Sequence, residues 1–290
     1  MDAVTQTFLS LVKEGDIYLF LVPIYTLLLT GERLFDAFWT RRVWDHRDAA
    51  VNILITVLTL GINVLVGHLV PIALMALIFT SFSAWSLEGS TAGWALAFLL
   101  YDLAWYTDHR IGHRVGFFWA MHQVHHSSEE YNMTVASRGF VWDITLLNRP
   151  AFYLLPLLGV SPLQFITISI CTNVWGIAQH TRAVGRLKGL DWLLATPSNH
   201  RVHHGREPKY IDRNYGEVFM IWDHLFGTYQ REEEEPSYGV TVPIETYNVV
   251  SIELAGIQRL RRKIGAARTW QDKLRCIIRP PEWKPPAEEV

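Results

Sequence analysis

Residues 92–126 read AGWALAFLLYDLAWYTDHRIGHRVGFFWAMHQVHH, an apolar run that passes directly into a cluster of histidines. From Ala92 to Tyr106 the only charge is Asp102, and apolar density at that length belongs to a helix that is buried or lies in lipid. Continued past Tyr106, the same helix sets His109 and His113 four residues apart on one face. A second group, His122, His125 and His126 in HQVHH, follows within a few turns.

Working outward, apolar stretches fill residues 17–180, at Ile17–Leu29, Val51–Trp85, Ala92–Tyr106, Ile144–Leu158 and Pro162–Ile177. A helix needs about 20 residues to cross hydrocarbon. The Val51–Trp85 stretch would make a helix of about 52 Å, too long for one crossing, so it reads as a span to about Gly67 and a re-entrant piece after Pro71. Ile144–Gln179 reads as a hairpin turning at Gly159. Arg33, Arg41, Arg42 and Arg47, then Arg110 and Arg114, then the basic tail from Arg259, place these segments on the cytoplasmic side. The expected fold is all-α: a membrane helical bundle of about four transmembrane helices with re-entrant or interfacial pieces and a cytoplasmic histidine-rich cap. The chain reads as one domain, 1–290, with its motifs in 92–240 and a basic amphipathic tail at 255–290, suited to an anionic lipid surface or to an ordinary protein surface. Met1–Asp16 lacks a basic leader and reads as part of a retained anchor. A net charge of −2 gives no reason to expect nucleic acid, and two cysteines far apart form neither a disulfide framework nor a thiolate site. The acidic run Glu232–Glu235 reads as a solvated loop.

Twelve histidines are present, and nine form a pattern: His109 and His113; His122, His125 and His126; His180 alone in WGIAQH; and His200, His203 and His204 in HRVHH. Imidazoles at i, i+3 and i+4 share a helix face and can hold one metal ion or two neighbouring ones. A single helical histidine is more often a satisfied polar group. Two H-x-x-H-H copies beside an H-x-x-x-H, all expected on one membrane face, are a different case. Neutral imidazole without thiolate suits Fe, Zn, Cu or Ni and argues against Mg, Ca or structural zinc. Candidate orienting partners are Asp102, two turns before His109, with Glu129, Glu130 and Asp223; Asn214 and Tyr215 are candidate pocket residues. His46, His68 and His224 fit no cluster.

HRIGHR, WAMHQVHHSSEEYN, the late His180, TPSNHRVHH, NYG and WDHLFGTY occur in an order that resembles the fatty acid hydroxylase/sterol desaturase superfamily, over Tyr101–Gly239. Within it the likeness is to the alkylglycerol monooxygenase-like members. The resemblance implies two iron ions held by the nine histidines, O2 as co-substrate, and hydroxylation or desaturation of a lipid C–H bond. It also implies a bacterial inner-membrane or endoplasmic-reticulum location. Two positions depart from the pattern: Arg114 stands where the alkylglycerol enzyme has Glu, and Gly176 where some members carry a further His. No C-x-x-C-H and no G-x-G-x-x-G is present, so electrons are expected from a separate ferredoxin- or cytochrome-type protein, or from a pterin. A zinc-dependent lipid hydrolase and a metal- or haem-storing membrane protein are the rival readings.

Overall fold

The computed structural model describes residues 17–40, 44–66, 69–142 and 149–285. Among them all regular structure is helical, and extended backbone pairs only at two isolated bridges, Leu194 with Phe219 and Gly205 with Tyr238. The helices are α1 (Ile17–Phe35), which runs into a π turn at Asp36–Thr40, then α2 (His46–Val66), α3 (Leu69–Phe82), α4 (Thr91–Arg114) and α5 (Gly116–His122). They continue as α6 (Pro162–Gln179), α7 (Leu190–Leu193), α8 (Pro197–His203), α9 (Ile221–Phe226), α10 (Val249–Ala266) and α11 (Trp270–Ile278). Short 3-10 turns carry the chain between α5 and α6.

Local chemistry sets the boundaries of the two long helices beside the site. Ser90 caps α4, its Oγ accepting from Gly93 N at 3.0 Å. Ser161 and Gln164 cap α6 reciprocally, and Pro162 opens it at a position where an N–H is not needed. Between α3, α4, α6 and the 150–158 turns lies an apolar core of Met75, Tyr101, Phe152, Leu155 and Phe165, with Tyr101 stacked on Phe152 at 4.9 Å. A second core joins Val51 and Ile55 of α2 to Val124, Val141 and Ile252.

Among the described residues no helix is long and apolar enough to cross a membrane, so the expected spans do not appear as such. The Val51–Trp85 stretch is split between α2 and α3, and the 14 residues of α3 rise only about 21 Å. In α4 the apolar half gives way to Asp102, Asp108, His109 and His113, all buried in protein. In the described part of the expected hairpin's first arm, residues 149–158, Pro150 and Pro156 each open a 3-10 turn in place of an α-helix, since proline supplies no N–H to a longer ladder. Gly159 then reverses the chain at φ +88°. The readings placed on Met1–Asp16, Arg41, Arg42, Gly67, His68 and Ile144 lie outside the described residues. The 255 boundary of the basic tail falls inside α10, which packs closely on α5: a Cβ at Gly256 would collide with the Ala120 carbonyl and the Gln123 side chain.

Candidate metal centre

Four parts of the chain deliver the nine histidines to one place. His109 and His113 come from the last turns of α4, and His122 from the end of α5. His125 and His126 come from the 3-10 turn after it, and His180 from the C-cap of α6. His200 and His203 come from α8, with His204 at its C-cap. They form two sets: His109, His113, His122, His126 and His203, and His125, His180, His200 and His204. Within each set the candidate donor atoms all lie within 4.8 Å of one another. The sets abut, with the His126 and His204 rings stacked at 4.3 Å.

The two H-x-x-H-H copies are used in opposite senses. His122 and His126, one helical turn apart, serve the first set while His125 crosses to the second. His200 and His204 serve the second while His203 crosses to the first. Gly112 leaves the His122 ring room against α4, 3.5 Å from where a Cβ would be.

Backbone carbonyls orient four of the nine rings. The Nδ1 of His109 lies 3.0 Å from Tyr215 O, that of His125 3.0 Å from Arg138 O, that of His180 2.7 Å from Gly176 O, and that of His203 2.9 Å from Arg213 O. A carbonyl only accepts, so Nδ1 carries the hydrogen and each neutral ring presents an Nε2 lone pair to the interior. His125 Nε2 and His180 Nε2 nevertheless face each other at 3.3 Å. Further Nε2 pairs stand at 3.0 Å (His200–His180), 3.1 Å (His113–His126) and 3.2 Å (His126–His122). His203 Nε2 and His204 Nε2 are buried with no hydrogen-bond partner among the described residues.

Lone pairs aimed at each other repel unless a cation lies between them. Two donors about 2.1 Å from one ion and at right angles to each other stand about 3.0 Å apart, so the spacing fits metal ligation. Burial holds His109, His122, His126, His180, His200, His203 and His204 far below the ordinary histidine range, and neighbouring imidazoles add to it for each of them. Burial also brings His125 down to about 4. The rings are thus neutral near pH 7, the form a metal needs.

The expected orienting carboxylates are placed differently. Asp102 accepts from Val218 N (2.9 Å), Phe219 N (3.3 Å) and Trp222 Nε1 (2.9 Å), which ties α4 to the segment before α9 and reaches no imidazole. Glu129 and Glu130 face Arg206 and Arg182 at the surface. Asp223 accepts from Tyr215 N (2.9 Å) and Gly216 N (2.8 Å), and so fixes the carbonyl that receives His109. Asn214, in the left-handed region at φ +55°, bonds Gln230 and Asn199 and holds that loop closed. The Tyr215 ring meets His109, His113 and His203 edge-on. Of the unclustered histidines, His224 bonds Trp192 O away from the centre, and His46 opens α2.

Three residues without a motif prove to stand at the centre. Asp212 Oδ1 lies 3.5 Å from His113 Nδ1, and its other oxygen pairs with Arg114. Burial opposes its charge, yet His113 and Arg114 hold its carboxyl down at about 2. Arg138, whose carbonyl holds His125, is itself buried and bonds Asp48 (2.9 Å), Asn52 (2.8 Å) and Ser127 (2.9 Å). Glu217 is 4% exposed and lines a cavity of about 190 Å³ with His109, His122, His125, His180 and His200; burial pushes its carboxyl up to about 8, and the charge of Asp102 adds to the push. A larger cavity, about 730 Å³, reaches His113, His126, His203 and His204 from the side of α10 and α11. Glu232 is also a correction: far from being solvated, it is buried and pairs with Arg201 through two contacts of 2.7 Å.

Residues 94–228 match the fatty acid hydroxylase family model, and the chain belongs to that family. It is 35% identical over 202 residues to the alkylglycerol monooxygenase of Xenopus tropicalis, covering 66% of this chain and 43% of that protein. With the Danio rerio alkylglycerol monooxygenase the identity is 37% over 204 residues, 70% of this chain and 44% of the relative. The ornithine lipid hydroxylase OlsE of Rhizobium tropici is 28% identical over 239 residues, 78% of this chain and 70% of its own length. The chain thus spans less than half the length of the alkylglycerol monooxygenases it matches. No solved structure matches it.

Proposed function

We propose that this chain is an O2-dependent monooxygenase that hydroxylates a C–H bond of a lipid at a di-iron centre. The observation that carries the reading is the pair of interlocked imidazole sets, with buried Nε2 atoms turned inward about 3 Å apart and, at His125 and His180, two lone pairs opposed. His109, His113, His122, His126 and His203 would hold one iron, and His125, His180, His200 and His204 the other. When bound, such a pair activates O2 for insertion into an unreactive C–H bond, chemistry that protein side chains do not supply.

The chain's own residues orient, bury and admit. Tyr215, Arg138, Gly176 and Arg213 turn the rings through their carbonyls, and Asp212 turns His113. The 730 Å³ cavity has the volume of a ligand site, about 300–1,000 Å³, and is where the lipid chain would lie against His113, His126, His203 and His204. Electrons would come from a separate ferredoxin- or cytochrome-type protein, or from a pterin.

The protein would work embedded in a membrane, as one domain with its histidine-rich cap facing the cytoplasm. Leu27, Phe38, Trp39, Val57, Leu77 and Phe82, each more than half exposed, support contact between α1–α3 and lipid. A desaturase would use the same ligands with a different substrate register, and a zinc hydrolase would need neither O2 nor reductant. Lipid analysis of cells with and without the gene, grown under ¹⁸O2, tests all three. We expect a lipid carrying one labelled hydroxyl only in cells with the gene. A new double bond would indicate desaturation, and a lipid cleaved without O2 would indicate hydrolysis.

A further inference from the structure

The two imidazole sets are unequal, five rings against four, and the smaller set has a carboxylate facing it. Glu217 shares the 190 Å³ cavity with His125, His180 and His200, three of the four, and with His109 and His122, two of the five. Among the described residues its carboxylate has no hydrogen bond and no ion pair, although it is almost wholly buried. A buried carboxylate without a direct partner is costly; the Arg149 guanidinium, which lines the same cavity, acts on it without forming an ion pair, so burial still prevails and a closer cation would compensate. The backbone anchors it in place, since its carbonyl accepts from Gln179 Nε2 at 2.7 Å, beside the C-cap that carries His180.

Position 176 supplies a second, independent observation. It lies one helical turn before His180 on the same face of α6, so a side chain there would point toward the same ion. Residue 176 is glycine, and a Cβ on it would lie 2.8 Å from Glu217 Oε1. The carboxylate therefore occupies the space that a side chain at 176 would take.

Resting on the two-ion reading above, we infer that Glu217 supplies an oxygen donor to the ion held by His125, His180, His200 and His204, in place of a ligand from position 176. The carboxylate lies outside the set of donors that stand within 4.8 Å of one another, so the contact is made by the side chain turning toward the ion when the ion binds. It brings one negative charge to a centre otherwise built of neutral rings. It also shifts the donor set toward the imidazole–carboxylate mixture that suits non-haem iron.

The test is iron stoichiometry and ⁵⁷Fe Mössbauer spectroscopy on the full chain in detergent, loaded anaerobically with Fe(II) and then challenged with a chelator. Wild type, Glu217→Gln, Glu217→Ala and the double variant Gly176→His/Glu217→Gly are compared, with far-UV circular dichroism as the folding control. We expect two irons in wild type, and in both single variants one iron lost to chelator roughly 10–100-fold more readily. The quadrupole doublet of that iron should change while the other doublet stays, and the double variant should recover the second iron. If both single variants keep two irons with wild-type doublets and chelator resistance, the proposal is overturned while the two-ion centre stands. If wild type itself takes up fewer than two irons, the two-ion reading falls and this proposal with it.

Discussion

His125 and His180 each give their Nδ1 hydrogen to a carbonyl and turn an unprotonated Nε2 toward the other. Burial makes protonation an unfavourable escape, and this has a measurable sign. His125 titrates near 4 in the fold against an ordinary 6.5, so the unfolded chain takes up protons first as pH falls. Stability of the metal-free fold is therefore full above about pH 6.5 and declines as pH falls through that value toward 4. Thermal midpoints of chelator-treated protein at several pH values check this, and midpoints that stay level across the window would sink it. Asp212→Asn removes the carboxylate that faces both His113 and Arg114. Metal retention should weaken by about 10–100-fold in chelator titration, with the fold kept. The grouping of the histidines was legible in the sequence, because i, i+3, i+4 spacing is a local signal that survives into the structure. Their orienting partners were not, because a carbonyl leaves no mark in a sequence. Asp48 and Arg138 meet across many intervening residues, with no local pattern to announce it.

Helix α8 shows how an element holds its histidines. Pro197 opens it, Thr196 Oγ1 donates to Asp191 at 2.6 Å, and Arg201, between His200 and His203, is pinned by Glu232. Removing one member of a buried pair strands the other charge, at a cost of about 3–5 kcal/mol. Glu232→Ala should therefore lower stability by that order in denaturant titration and loosen His200, His203 and His204 together. An unchanged denaturation midpoint would show that the pair is not structural. Sequence reading took the acidic run as one solvated segment, since nothing in EEEE distinguishes the residue that folds inward. It reads 144–179 as a proline- and glycine-interrupted hairpin, but how the prolines shape its first arm depends on packing against α4 and Asp108, which accepts from Ala151 N at 2.7 Å.

At the scale of the whole molecule, the histidine centre is buried while many large apolar side chains stand exposed. The centre lies among α4, α5, α6 and α8, whereas large apolar side chains stand exposed along α1–α3. A solvated protein rarely leaves so many large apolar side chains uncovered. The chain should therefore stay with the membrane fraction through an alkaline carbonate wash and come off only with detergent; release by carbonate would contradict bilayer embedding. All-helical architecture was legible from apolar runs and the absence of strand alternation. Span number was not, because run length does not say where a buried Asp102 or a pair of prolines will divide the run. One consequence follows from rings steered by main-chain oxygens. Substitution at 213 swaps a side chain that points outward and leaves the steering oxygen where it was, so an alanine scan would score that position as dispensable to metal binding, whereas at 138 and 215 it would read the loss of the buried side chain and not of the carbonyl. Only changes that redirect the backbone itself, for instance at Asp212 and Asn214 with their left-handed φ of 61° and 55°, would expose how much the centre depends on the path of the chain.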